Sequence, residues 1–96
     1  MVKGESRVRV MLPRALSEFA GGQESVELGG RTLADAIQGL NARFPGLGYR
    51  ILDDQGRMRR YVLVFVNEDP VGHLDPQAVP LKDGDTVHIL PSVAGG

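Results

Sequence analysis

The chain has 96 residues, 42% of them hydrophobic and 24% charged, which bounds it to one small globular domain. Its net charge of −1 supplies no strong field for nucleic acid or an anionic membrane surface. With no cysteine, a disulfide framework, a thiolate metal site and a cysteine nucleophile are all excluded, and no side chain can carry sulfur as a persulfide.

Residues 7–12, RVRVML, alternate. Val8, Val10 and Leu12 share one face, and Arg7, Arg9 and Met11 the other, which predicts a half-buried strand closed by Pro13. The following PRALSEFAGG reads as a connection with a short helical turn, broken at Gly21-Gly22. Residues 24–28, ESVEL, alternate again and predict the second strand of a hairpin, ended by Gly29-Gly30.

The clearest helix comes next. Thr32 is a good N-cap and Asp35, three residues on, completes a variant of the capping box. Leu33, Ala36, Ile37, Leu40 and Phe44 recur at helical spacing as one apolar stripe. Gly39 weakens this helix by about 1 kcal/mol relative to Ala and is expected to permit close packing on a sheet. Pro45-Gly46 stops it.

GLGYRILDDQGRMRR, residues 46–60, is a long connection with a turn at residues 53–56. YVLVFV, residues 61–66, is a central strand, apolar on both faces, and at six residues too short to span a bilayer as a helix. NEDPV is a turn, and DPQAVPLKDGD a loop ending in a tight Asp-Gly turn. TVHIL, residues 86–90, is the last strand, with Val87 and Ile89 on one face and His88 and Leu90 on the other. Pro91 ends it, since proline cannot donate to a ladder. One helix on one mixed sheet of four to five strands is an α+β fold. In this order the first and last strands lie side by side in the middle of the sheet, the ubiquitin-like β-grasp arrangement. Residues 1–91 form the domain, and residues 92–96 a flexible tail.

No enzymatic signature is present: no GxSxG, Walker loop, HExxH or CxxC. GGRTLADA puts two glycines before a helix start, an arrangement that can hold an anion, but no other phosphate-binding residue accompanies it and the turn reading prevails. His73 and His88, the only histidines, lack the further ligands a metal site needs. The acidic pairs Asp53-Asp54, Glu68-Asp69 and Asp83/Asp85 all fall in turns, where Asp bonds its own backbone. RMRR, residues 57–60, lacks interleaved aromatics and reads as a solvated strand entry, with docking of an acidic partner the alternative. The opening MVKGES lacks the apolar run of a signal peptide, so the expected location is cytoplasmic.

Two features remain. If alternation holds, Met11, Val62, Val64 and Leu90 all point away from the helix and form an apolar patch that suits protein binding. The competing expectation is that the connection 46–60 folds over them. The second feature is SVAGG, residues 92–96, released from the sheet by Pro91. Five extended residues reach about 17 Å, and the absence of side chains on Gly95 and Gly96 suits a narrow channel in a partner. A carboxylate at Gly96 must be converted to something like an acyl-adenylate before a nucleophile can attack. Sulfide or persulfide then gives a thiocarboxylate, and an amine gives an amide.

The strand order together with GGQESV, YVLVFVNEDPV and DGDTVHILPSVAGG resembles the ubiquitin-like sulfur-carrier family of MoaD and ThiS, from about Val8 to Gly96. The long segment between helix and central strand brings it nearest that family's cysteine-biosynthesis branch. The resemblance implies that the chain is a protein substrate, not an enzyme, and binds no cofactor itself. A MoeB-like or MoeZ-like adenylyltransferase would use ATP and magnesium to adenylate Gly96, and a sulfurtransferase domain would supply sulfur. Val93, Ala94 and Gly95 would thread into the partner. A pyridoxal-phosphate cysteine synthase would accept the sulfur, and a zinc metallopeptidase would release cysteine. In the molybdopterin branch, the tail would instead enter the large subunit of molybdopterin synthase. Partners would dock on the exposed sheet face, here expected at Met11, Val64, His88 and Leu90, with neither nucleic acid nor membrane involved. Two other readings stay open: a protein modifier attached through Gly96 to lysines, and a β-grasp binding module whose Gly-Gly is incidental.

Overall fold

The computed structural model describes residues 6–91. Five strands form one mixed sheet: β1 (Ser6–Met11), β2 (Ser25–Gly30), β3 (Val62–Val66), β4 (Asp69–Pro70) and β5 (Thr86–Pro91). Their order across the sheet is β2-β1-β5-β3-β4. β1 and β5 run parallel at its centre, and every other pairing is antiparallel. The expected β-grasp arrangement is thus present. A short helix α1 (Arg14–Ser17) and a 3-10 turn (Glu18–Ala20) join β1 to β2, and the main helix α2 (Leu33–Arg43) covers one face.

The capping box forms as expected. The Asp35 backbone N–H donates to Thr32 Oγ1 at 3.2 Å, and the Thr32 N–H donates to Asp35 Oδ2 at 3.3 Å. Asp35 Oδ2 also accepts the Arg31 N–H at 3.1 Å, so an acidic side chain already occupies the helix start that an anion would need. Leu33, Ala36, Ile37 and Leu40 are buried against Val8, Val10, Val26, Leu28, Val87 and Ile89.

Strand ends differ from the sequence expectation. β2 does not end before Gly29-Gly30 but runs through both. The reason is at Gly30, where a Cβ would stand 3.1 Å from the Ala36 backbone nitrogen and from Asp35 Cβ. A bare α-carbon there lets the strand continue beneath the start of α2. Gly39 does not play that part, since a Cβ at its position would meet only Leu28 Cδ2 at 3.8 Å. Pro91 lies within β5 as its final residue, opposite Val62.

The parity of β3 also differs. Val62, Val64 and Val66 are buried, so Val62 and Val64 face the helix, not the open side. The register explains it: Val64 stands opposite Ile89, and residues paired across antiparallel strands share a face. Ile89 is in the core, so Val64 is too. The outward residues of β3 are Leu63 and Phe65.

The connection 46–60 does not cover the open face. Its Leu47 and Ile51 are wholly buried, and Leu52 and Met58 pack against the same core. It closes on itself through the Leu52–Met58 bridge and the turn at Gly56, where φ is 80°.

Candidate functional site: the open sheet face

The face away from α2 divides into two halves. On β1 and β2 it carries Arg7, Arg9 and Glu27, with ion pairs of 3.8 and 3.3 Å. These groups are solvent-exposed, and such pairs contribute little stability. The other half is apolar. Met11 aligns with His88 on β5, and His88 with Phe65 on β3, which in turn stands opposite Pro70. One step along, Leu63 stands opposite Leu90, each 44% exposed. Met11, His88 and Phe65 are half-buried by these neighbours.

Of the four residues expected in a docking patch, the structure brings together Met11, His88 and Leu90. Val64, the fourth, is 2% exposed and belongs to the core. Leu63 and Phe65 take its place; the sequence reading missed them. The sequence held no signal for them, because YVLVFV is apolar at every position and only the register, Leu63 opposite Leu90 and Phe65 opposite His88, sets their face. Contiguous apolar side chains on three adjacent strands make a surface suited to protein binding.

The patch leads directly to the end of β5 at Pro91. The residues expected to react and to thread, Val93, Ala94, Gly95 and Gly96, lie outside the described residues, as does Ser92.

The opposite end of β5 is clasped by polar groups. Asn67, in the left-handed region with φ of 56°, accepts the Thr86 N–H on Oδ1 at 3.0 Å and donates its amide to Asp85 Oδ1 at 3.0 Å. Asp85 Oδ2 accepts the Lys82 N–H at 2.8 Å, and Asp83 Oδ1 accepts the Arg7 N–H at 2.8 Å. The Lys82 bond first, then the Asn67 amide, holds the Asp85 carboxyl below its usual range. Asp53 is lowered likewise, chiefly by the backbone N–H of Arg57. These carboxylates bond to backbone N–H groups and organise turns.

RMRR resolves into distinct parts. Met58 packs on the core, Arg59 donates Nε to the Tyr49 carbonyl, and its guanidinium lies 5.9 Å from the Tyr61 ring centre. Among the described residues no group of three or more His, Asp or Glu is placed to hold a metal ion, and no helix is long and apolar enough to cross a membrane.

The model of the ThiS family matches residues 10–96. The sulfur carrier protein CysO of Mycobacterium tuberculosis is 40% identical over 91 residues, 93% of this chain and 98% of that protein. Its crystal structure superposes with a TM-score of 0.82 at 38% identity, covering 90% of this chain and 99% of that one. A chain of the BexX/CysO complex of Amycolatopsis orientalis superposes equally well, at 36% identity over 93% and 99%. Small archaeal modifier protein 3 of Haloferax volcanii is 42% identical over 65 residues, 68% of this chain and 70% of that protein.

Proposed function

Because the chain belongs to the ThiS family, we propose that it is a sulfur carrier: a protein substrate whose Gly96 carboxylate is activated and sulfurated by partner enzymes. The carboxylate oxygen attacks the α-phosphorus of ATP in a magnesium-dependent adenylyltransferase, forming the acyl-adenylate and releasing pyrophosphate. Hydrosulfide, supplied by a sulfurtransferase whose persulfide is reduced by a thiol, attacks the acyl carbon and expels AMP, leaving the thiocarboxylate. The thiocarboxylate sulfur then bonds to the β-carbon of a serine activated at its hydroxyl, whose leaving group departs, on a pyridoxal-phosphate cysteine synthase. A zinc metallopeptidase hydrolyses the bond between Gly96 and the new cysteine, taking up water, releasing cysteine and restoring the carboxylate. This chain supplies no catalytic group to any step. It supplies the acyl group, a bare Gly-Gly approach, and the docking patch Met11, Leu63, Phe65, His88 and Leu90.

One observation carries this reading. In a chain 40% identical to CysO over 93% of its length, β5 ends at Pro91 beside an apolar open face, and the sequence after it closes on Gly95-Gly96. The A. orientalis relative is itself seen in a complex with BexX, which accords with a chain that works by being held. The likeness to the archaeal modifier supports a second reading, conjugation of Gly96 to lysine amines.

Intact mass spectrometry separates the two. After incubation with a cognate activating enzyme, ATP, magnesium and a sulfide donor, carriage predicts a mass gain equal to sulfur replacing one oxygen. Conjugation predicts larger species that leave a Gly-Gly remnant on lysine after digestion. An unchanged mass with every cognate enzyme overturns both. Capture of a cysteine synthase rather than a molybdopterin synthase large subunit identifies the sulfur acceptor.

A further inference from the structure

A second apolar surface meets the end of β5, on the side opposite the docking patch. It is a groove of about 200 Å³ between α1, the 46–60 connection and the β3–β5 edge. Leu16 and Val62 form its floor, and Phe19, Tyr61 and Pro91 its walls, with Ala15 at the rim. Phe19 and Tyr61 are 37% and 57% exposed, two of the larger apolar side chains left open to solvent. Arg50 is stacked on Phe19, its guanidinium carbon 3.7 Å from the ring centre, which fixes that wall.

We propose that this groove is the resting seat of the chain's own Val93. Three facts select that occupant. Pro91, the last described residue, itself lines the groove, and five more residues follow it in the sequence. Val87, Ile89 and Pro91 share the face on which the groove opens, and extended backbone alternates with period two, so Val93 is the next residue on that face. Among residues 92–96 Val93 carries the only side chain larger than Ala or Ser, and it suits a small apolar slot. Ser92 and Ala94 then fall on the opposite face, that of Leu90. An enzyme gripping Leu63 and Leu90 from the open side meets a tail held on the far side, and must draw Val93 out before the terminus can enter its channel. This consequence for activation rests on the carrier reading; the seat itself does not.

Methyl NMR tests the seat. In uniformly labelled full chain, NOEs are expected from the Val93 γ-methyls to the Phe19 ring and Leu16 methyls. They should vanish in Ala15→Arg, which fills the groove from its exposed rim and leaves the core untouched. Val93 methyls at the shifts of an unstructured peptide, without those NOEs in the wild-type chain, overturn the proposal. So do NOEs that appear only between labelled and unlabelled molecules, which would make a second copy's tail the occupant. Emptying the seat should raise the initial rate of activation by roughly twofold or more at limiting enzyme, as the competent fraction rises. An unseated Val93 in a chain that still gains sulfur refutes the seat alone; a seated Val93 in a chain that gains none refutes the carrier reading alone.

Discussion

Leu63 and Leu90 stand directly opposite each other on β3 and β5, both pointing away from α2 and both 44% exposed. A cross-strand leucine pair in a half-buried sheet ordinarily adds to the core. Here it lies on the outside, beside the strand end from which residues 92–96 continue.

Replacing either leucine by aspartate should weaken activation by a partner about tenfold or more, the scale of a central interface residue. The melting temperature should change by only a few degrees, since neither side chain is in the core. Val64→Asp, on the same strand but buried, should cost more than about 4 kcal/mol, a large part of a small domain's stability. Thermal melts alongside initial rates of thiocarboxylate formation check all three; equal loss of stability in Leu63→Asp and Val64→Asp would contradict the assigned parity.

The contrast between Leu63 and Val64 also shows where the sequence stops being informative. Local chemistry was legible: the Thr32–Asp35 capping box, the alternation of Val8 and Val10, and the outward His88 and Leu90 all follow from a few neighbouring residues. YVLVFV is apolar at every position, so its alternation carries no sign, and only the pairing of Val64 with Ile89 sets it. The connection 46–60 has no period from which the burial of Leu47 and Ile51 could be read, because that burial depends on packing against the finished core. Gly29-Gly30 has the same letters whether it ends a strand or passes beneath a helix, and the distance to Ala36 decides. Leu63 and Phe65 were therefore hidden for a physical reason, while the docking face as a whole was not.

Two glycines near α2 should respond oppositely to alanine. Gly39→Ala adds a methyl in ordinary contact with Leu28 and removes backbone freedom from the unfolded chain. It should stabilise by about 0.5–1 kcal/mol, raising the melting temperature by roughly 2–8 °C. Gly30→Ala forces a methyl to 3.1 Å from a helix backbone nitrogen that cannot swing aside, and should destabilise by about 1–3 kcal/mol. Denaturant midpoints of the two variants give the signs directly.

The Asn67–Asp85 clasp predicts a pH dependence. The folded state holds Asp85 below its unfolded pKa, so its contribution is present above about pH 4 and is lost as pH falls through the folded value. Asp85→Asn should therefore lower the melting temperature at pH 7 and converge toward wild type as the solution is acidified below about pH 4. Asn67→Ala, which strands the Thr86 N–H and removes a residue tolerant of positive φ, should cost about 1–3 kcal/mol. A wild-type gap to Asp85→Asn that widens in acid would reverse the assigned sign.

The sharpest separation of fold from function lies beyond Pro91. β3 begins at Val62, opposite Pro91, so no residue of β3 remains to pair with anything after it, and the described ladder is complete without the tail. Deleting Gly96 should leave the melting temperature within about one degree of wild type, as changes at chain termini commonly do. It should nonetheless abolish activation, because the carboxylate then sits one residue, about 3.5 Å, short of the ATP phosphate it must attack. Gly95→Val keeps the length and should fail for another reason: a branched side chain where the approach to the enzyme admits only a hydrogen. Pyrophosphate release by the activating enzyme reads both variants, and full activity in either, with an intact fold, would remove Gly96 as the reacting group.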